Sequence, residues 1–514
     1  MYFEDFDANT RERGKRMAAK KIKIIGGGLA GPEAALQAAA AGCEVHLYEM
    51  RPTRSTEAHQ TSDFAELVCS NSLKSESENT APWLLKQEMR RANSFLLADA
   101  DATAVPAGHA LAVDRVEFSK RVAARIAAAS TGVAPRITVH REEVTQLNEH
   151  DPDTVTILAS GPLTSPALAA ELQRLTGSDH LAFYDSISPI VDATTIDMSK
   201  VYFAARYDKG TADYINCPFT KEEYERFLDA LTNAEAVEAK SWEKIPTNGL
   251  SEGAGGFSPL NSGREAGGFS PGSSAETTTA PQPTTIHHQP ATLNYFEGCL
   301  PIEETARRGR DTLRFGPMKP VGLTDPGTGR WPYAVVQLRQ ENLRADSYNL
   351  VGFQNHLKFG EQNRVLKLIP GLENATFLRY GQIHRNTYIH APSLLTETLQ
   401  LKSHPSIIIA GQLSGVEGYT ESIASGMLAG IYAAAIANGK TPSPAPRLSA
   451  NGSLTHYITH SETKKFQPAN ITFDLLPPLE EDLRKKIRDK KERHKLQCDR
   501  ALAAWDEWLS STQP

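Results

Sequence analysis

Gly26, Gly28 and Gly31 hold a G-x-G-x-x-G spacing inside KIKIIGGGLAGPEAALQAAAAGCEVHLYE, the stretch from Lys21 to Glu49. That spacing suits phosphate chemistry. The first glycine permits a tight turn, the second lets backbone approach a pyrophosphate, and the third lets a helix pack closely on a sheet. The N-terminus of that helix presents unpaired N–H groups and a partial positive charge. Glu49 closes the next strand, where a carboxylate accepts a hydrogen bond from a ribose 2'-hydroxyl. Gly26, Gly27, Gly28, Leu29, Ala30, Gly31, Glu49 and the nearby Arg51 are the expected contacts of a bound dinucleotide.

Three thiols occupy segments where a cysteine could react. Cys69 lies in FAELVCSNSL, after Leu67 and Val68 and before Ser70, Asn71 and Ser72. Its apolar side reads as a small buried hydrophobe, its polar side as a loop at a strand end, and the two readings stand together. Cys299 precedes Pro301, Glu303 and Glu304, so it sits just outside an expected helix whose N-terminus favours thiolate and whose glutamates oppose it. Cys217 precedes Thr220 and Glu223, which are spaced as a capping box. Cys43, opening a strand, and Cys498, in a charged helix, read as structural or incidental.

His384, Arg385 and Asn386 in RYGQIHRNTY put an imidazole, a fixed cation and an amide in one place. They could hold an anionic or heterocyclic ligand, or serve a loop hydrogen-bond network. Tyr419, in GVEGYTES, lies between a glycine-rich turn and a helix, where its ring could stack on a flat ligand or pack in the core.

The elements that must position these groups follow from the pattern. Ile22, Ile24 and Ile25 form an apolar strand, and Val45 and Leu47 alternate inward on the next. Trp83, Leu84, Leu85 and Met89 mark a helix; Ile137 to Val139 and Val155 to Leu158 mark strands ending near Gly161 and Pro162. Tyr333 to Leu338 reads as another strand. Ile407 to Ile409 meets a turn at Gly411 and then a helix of small residues, a second strand-to-helix approach to a ligand. A two-ended grip suits FAD better than NAD, and adds Gly411, Gln412, Glu417 and Gly418 to the expected cofactor contacts.

The expected fold is α/β: a discontinuous Rossmann-like FAD-binding domain, residues 21–162 and 330–440, with a mixed α/β domain inserted at 163–329. Residues 1–20 read as a flexible leader and 246–290, rich in Gly, Ser, Pro and Thr, as a disordered loop that cannot offset its ordering entropy. Residues 441–514 form an extension with a basic helix around Arg484 to Lys495.

At 514 residues, 40% hydrophobic and 23% charged, the composition is that of a globular protein of two or three domains. No apolar run is expected to approach the roughly 18 residues that span a bilayer. The five cysteines have no C-x-x-C pair, which points to free thiols in a reducing cytoplasm and gives no zinc pattern, so no metal is expected. The net charge of -6 requires any nucleic-acid surface to be a local basic patch. Lys319, Arg339, Lys358, Arg385 and the C-terminal helix are its candidates.

Over nearly its whole length the chain resembles the folate- and FAD-dependent tRNA (uracil-5-)-methyltransferases. GGGLAGPEAA, LYEMRP, FAELVCSNSL, VPAGHALAVDR, FYDSISPIVD, INCPFTKEE, FEGCLPIEE, FGPMKPVGL, PYAVVQLRQEN, GFQNHLKFGEQ, RYGQIHRNTY and AGQLSGVEGYTESIASG carry the likeness. The related wobble-uridine flavoproteins, which act with a partner GTPase, share the glycine cradle; FAELVCSNSL and FEGCLPIEE favour the methyltransferases. A flavoprotein that binds tRNA without catalysis is the third reading.

The resemblance implies methylenetetrahydrofolate as carbon donor, FAD as reductant, NAD(P)H to reduce it, and the T-loop uridine of tRNA as target, with no protein partner required. It places the two functional cysteines at Cys69 and Cys299, not Cys217, and the folate-stacking ring at Tyr419. His384, Arg385 and Asn386 are expected on the folate side. Uracil C5 becomes nucleophilic once a thiolate adds to C6, and a second group must then remove the C5 proton. Two thiols could divide those roles. The 246–290 insert, the leader and the basic tail depart from the family pattern.

Overall fold

The computed structural model describes residues 21–56, 58–131, 136–148, 151–177, 181–208, 211–237, 300–462 and 466–512, with backbone alone at 181–186 and 383–385. The leader, the 246–290 segment and Cys299 lie outside the described residues. All described residues fall in one compact unit.

Lys21–Ile25 is the central strand of a five-stranded parallel sheet. The order is Ile407–Ile409, Thr154–Leu158, Lys21–Ile25, Val45–Tyr48, Ile137–His140. Ile22, Ile24, Val45, Leu47, Ile157 and Ile408 are fully buried, as expected where helices and loops cover both faces of a parallel sheet. The order sets the C-terminal ends of three strands side by side, so the turns at Gly26, Gly161 and Gly411 open into the same space. In open α/β sheets that crevice is where ligands bind.

Helix Ala30–Ala40 follows the first turn, and helix Tyr419–Ala437 follows the last and crosses it. A β-carbon at Gly426 would lie 2.3 Å from the Ala30 carbonyl oxygen, and one at Gly430 would lie 2.6 Å from that of Ala34. Backbone therefore meets backbone at this crossing. This contact explains the small-residue composition. It also corrects one expectation, because Tyr419–Ala437 is long and apolar enough to cross a membrane by length and composition. Its apolarity is used internally, with 78% of its most hydrophobic stretch buried.

A second core forms around a six-stranded sheet in the order Tyr202–Ala204, Tyr214–Phe219, Ala334–Gln340, Ser347–Leu350, Ile190–Asp192, Phe377–Arg379, every pair antiparallel. Phe219, Phe227, Val336, Leu338 and Phe353 fill it. The expected return to the nucleotide-binding layer at residue 330 is therefore corrected. Ala334–Gln340 pairs with Tyr214–Phe219, and the parallel sheet resumes only at Ile407. An apolar strand looks alike in either sheet, and only its long-range pairing decides between them. Thr220 and Glu223 form the expected capping box of helix Lys221–Thr232, each side chain accepting from the other's backbone N–H.

The basic segment near the C-terminus divides into helices Glu481–Lys486 and Lys490–Thr512. The second buries Cys498, Ala501, Trp505 and Trp508, and the Trp505 indole N–H donates to the Glu88 carbonyl at 2.7 Å. The Glu88 carboxylate, fully buried, accepts from the Ala450 and Asn451 N–H groups at 2.6 and 2.9 Å and from the Asn451 amide at 2.8 Å. It thereby serves the N-terminus of helix Ala450–His460.

Burial outweighs those bonds and pushes the Glu88 carboxyl from 4.5 up to about 7. The folded state then holds a proton that the unfolded state has released. The stability Glu88 contributes is full below about pH 4.5 and is lost as pH rises through about 7. Melting temperature should carry a falling component between pH 5 and 7.5, and Glu88→Gln should flatten it. An unchanged slope in the variant would count against this assignment.

Candidate functional site

Among the described residues, one large cleft opens at the carboxyl ends of the parallel strands. Its cavity volume is about 380 Å³, within the ~300–1,000 Å³ usual for a small-molecule site. Gly26, Gly27, Gly28, Leu29, Ala30, Glu49, Arg51, Cys69, Asn386, Gly411, Gln412, Glu417, Gly418 and Tyr419 all line it.

The glycine turn divides its tasks as the spacing predicts. Gly26 adopts φ +119°, and a β-carbon at Gly31 would lie 1.8 Å from the Gly26 carbonyl oxygen. Gly28 differs: a β-carbon there would meet nothing within 4 Å. The space above Gly28 belongs to the cleft, and helix Ala30–Ala40 has no side-chain cap on its first N–H groups. Donors and positive potential are thus left for an anion.

Glu49 is more occupied than the sequence implies. Its Oε2 accepts from the Gly27 N–H at 2.7 Å, and its Oε1 from the Arg51 N–H and Nε–H, both at 2.9 Å. Arg51, 2% exposed, also donates to Glu66 at 3.1 Å. These bonds hold the Glu49 carboxyl below its ordinary value against the opposing effect of burial. A lone pair of Oε2 stays open to a ribose hydroxyl, because a carboxylate oxygen accepts two bonds. Arg51 thus sits behind the carboxylate as its support.

Cys69 lies on the loop ahead of strand Ser72–Ser75, and Tyr419 comes to it from the start of the last core helix. The Cys69 and Ser70 N–H groups donate to the Tyr419 Oη at 2.7 and 3.2 Å. Burial and the nearby Cys69 raise the Tyr419 phenol well above its ordinary range, so it stays neutral. Two guanidinium groups act on Cys69 electrostatically, Arg115 and Arg379. Burial works against the Arg115 charge, but Glu341, paired with it at 2.5 Å, more than compensates. Burial and the like charge of Arg115 lower Arg379. Nucleophilic cysteines are found in such positive surroundings.

The loop is locked from the second sheet. Arg339 donates to the Asn71 Oδ1 and the Ser70 Oγ, both at 3.0 Å, while the Asn71 amide donates to the Val113 and Gln340 carbonyls at 3.1 and 2.9 Å. Arg339 is 9% exposed. Its expected place in an RNA-facing patch is corrected, since a buried guanidinium holding this loop does not face solvent. Of the other candidates, Lys319 is exposed, Lys358 is exposed and paired with Glu235 at 2.6 Å.

On the far side, Gly411 takes φ +69° and its N–H donates to the Ser425 Oγ at 2.8 Å. Gln412 donates to Glu417 at 2.6 Å. Helix Tyr419–Ala437 also lacks a side-chain cap, so two uncapped N-termini border one cleft. Lys74, held at φ +65°, reaches the cleft between Glu421 at 2.6 Å and Asn470 at 2.7 Å.

Asn386, on strand Ile383–Tyr388, is 1% exposed, lines the cleft, and keeps its Oδ1 without a protein hydrogen bond. A buried acceptor of that kind is satisfied by a ligand or water. His384 and Arg385 are described only as backbone of the same strand. Cys217 is excluded from the cleft: it is fully buried on strand Tyr214–Phe219, and burial drives its thiol far upward. Pro301 is the N-cap residue of helix Ile302–Arg307, and Glu303 turns inward to His356 at 2.8 Å.

Sequence reasoning missed Arg115, Arg379 and Lys74, and gave Arg339 a different place. Arg115 lies in VPAGHALAVDR and Arg339 in PYAVVQLRQEN, so the segments were flagged without their roles. Those roles depend on contacts across more than 200 residues of chain, which no local pattern encodes.

Comparison with known proteins follows the same lines. The glucose inhibited division protein A family matches residues 21–255 and 273–441. The methylenetetrahydrofolate-tRNA-(uracil-5-)-methyltransferase TrmFO of Koribacter versatilis is 62% identical over 493 residues, 96% of this chain and 99% of the relative. The proteins of the same name from Solibacter usitatus and Enterococcus faecalis are 57% and 49% identical, covering 95% and 94% of this chain and 99% and 97% of their own. Among solved structures, Aquifex aeolicus GidA in its form II crystal superposes with a TM-score of 0.61 at 15% identity, over 95% of this chain and 74% of that one. At that identity the likeness shows the fold alone.

Proposed function

The chain belongs to the methylenetetrahydrofolate-tRNA-(uracil-5-)-methyltransferase family, within the wider glucose inhibited division protein A family, and on that premise we propose that it methylates C5 of the T-loop uridine of tRNA. Methylenetetrahydrofolate is the carbon donor, and FAD, reduced in turn by NAD(P)H, is the reductant. The observation that carries this reading is the meeting of Cys69 and Tyr419, 2.7 Å apart through a backbone N–H, in the cleft that the glycine turn opens into.

The residues present fit FAD. The open space over Gly28 and the uncapped Ala30–Ala40 helix suit a pyrophosphate, Glu49 Oε2 suits a ribose hydroxyl, and the Gly411–Gly418 turn with its own uncapped helix suits the far end. When bound, the flavin would supply the two-electron equivalent that turns a methylene into a methyl group.

The chain's own groups do the rest. Cys69 adds as thiolate to C6 of uracil, which makes C5 a nucleophile. Arg115 and Arg379 stabilise the negative charge before the bond forms. Tyr419 holds the Cys69 loop through its hydroxyl and offers its ring face to the pterin. Asn386 presents a buried acceptor to an N–H of the folate or the base, beside His384 and Arg385 on the same strand. Cys299 is the second thiol in this reading and takes the C5 proton. The uridine must leave its loop stacking to reach the thiol inside the cleft. A cytoplasmic setting accords with a tRNA substrate and with free thiols at Cys43, Cys69, Cys217 and Cys498.

The test is incubation of flavin-loaded protein with unmodified tRNA, NADPH and methylenetetrahydrofolate labelled at the methylene. Label is expected on the T-loop uridine of the tRNA. A flavin-loaded preparation that leaves that uridine unlabelled would falsify the proposal.

A further inference from the structure

On the far side of helix Ala450–His460 from Glu88, a second cluster of titratable groups takes no part in the chemistry above. His456 and His460 stand one turn apart on that helix, a spacing that puts both imidazoles on one face. Their rings stack, with centroids 4.2 Å apart and planes 14° apart. His456 Nδ1 lies 3.2 Å from Glu397 Oε1, and His460 Nδ1 lies 3.7 Å from the same oxygen and 2.9 Å from the Thr459 Oγ1.

We propose that Glu397, His456 and His460 form a site for a divalent transition metal of the zinc type. Three nitrogen and oxygen donors with one open position is a familiar zinc arrangement, and bonds of about 2.0–2.2 Å set tetrahedral ligand atoms about 3.3–3.6 Å apart. His456 Nδ1 and Glu397 Oε1 stand close to that spacing, and metal binding requires the two rings to turn out of their parallel stack, His460 leaving Thr459, so that both ring planes meet at the ion. The donor set, imidazole with a carboxylate, suits zinc, cobalt or nickel and not magnesium or calcium.

The loop that carries Glu397 is held in place independently of the histidines. Its loop bridges Leu395 to Leu401, the Thr396 N–H donates to the Gln400 carbonyl at 2.9 Å, and Leu395, Leu399 and Leu401 are buried. Among the described residues, the cations near it are engaged elsewhere: Lys402 donates to the Pro392 carbonyl at 2.8 Å and Arg447 to the Ser453 Oγ at 2.7 Å. A cleft lined by Thr396, Thr398 and Pro444 leaves the fourth position open to water. The last turn of a helix also favours positive charge.

A metal here joins the helix Ala450–His460 to the loop that leads, through Leu401 and Ile407, into the edge strand Ile407–Ile409. It would act as a staple between the C-terminal segment and the parallel sheet, because binding only the folded state adds to its stability. The i, i+4 histidines were visible in HYITH; Glu397, more than fifty residues earlier, was not.

The experiment uses the full-length, flavin-loaded protein free of chelators, titrated with CoCl2 and ZnCl2. Expected is one cobalt equivalent with a tetrahedral visible band that zinc displaces, together with a rise in melting temperature. The His456→Ala/His460→Ala variant should lose that equivalent and that rise, with affinity lower by about tenfold or more, while methyl transfer to tRNA is unchanged. Glu397→Gln should weaken binding in the same direction. Equal cobalt binding and equal stabilisation in the double variant, as would follow if the thiols alone took the metal, would overturn the proposal; so would the lack of any binding by the parent protein.

Discussion

Cys69→Ala is expected to lower transfer of the labelled folate carbon to tRNA by about 10³-fold or more, the scale on which covalent catalysis fails without its nucleophile. Flavin content and melting temperature should stay near those of the parent. The reason is local. Cys69 is only partly buried, and the loop it sits on is held by others: Tyr419 through the Cys69 and Ser70 N–H groups, and Arg339 through Ser70 and Asn71. Removing the sulfur leaves all of those bonds in place. Cys299→Ala should abolish turnover as well. Label that still appears on the T-loop uridine after Cys69→Ala would remove Cys69 from the chemistry, whatever the state of the flavin.

The second large effect separates two glycines three residues apart. Gly31→Ala places a carbon 1.8 Å from the Gly26 carbonyl oxygen, with backbone on both sides of the clash. The helix must move off the sheet. A loss of about 1–3 kcal/mol or more is expected, in the range of overpacked cores, and the protein should purify without flavin. Gly28→Ala meets nothing within 4 Å, so its melting temperature without cofactor should match the parent while flavin affinity falls by about 10²-fold, as a methyl group takes space the pyrophosphate needs. Flavin absorbance and thermal unfolding of the cofactor-stripped proteins read both outcomes. If Gly28→Ala retained full flavin affinity, the cradle would have been placed on the wrong glycine.

Much of this was legible in the residues. The strand, glycine turn, helix and carboxylate between Lys21 and Glu49 are local in sequence, and each is fixed by interactions within about thirty residues. The capping box at Thr220 and Glu223 is equally local. The thiols were harder. A cysteine between Val68 and Ser70 reads equally as core or loop, and Cys217 has as promising a neighbourhood as Cys69. Beyond the family likeness, it is burial that separates them, and burial is a property of the assembled molecule.

By itself, then, the sequence determined the cradle, the five strands of the parallel sheet and the helices that follow its first and last turns, and, through its family motifs, the chemistry. Short-range sterics and hydrogen bonding dictate those features, so they leave a mark in adjacent residues. Tertiary structure alone decided that Ala334–Gln340 joins the antiparallel sheet rather than the parallel one. The same pairing carries Arg339 to the Cys69 loop instead of to an RNA-facing surface. It decided likewise that Arg115 and Arg379 lie within electrostatic reach of the thiol and that Glu397 meets two histidines. Each of these contacts joins residues dozens to hundreds of positions apart. Their partners are chosen by the packing of whole sheets and helices, which no short stretch of chain specifies.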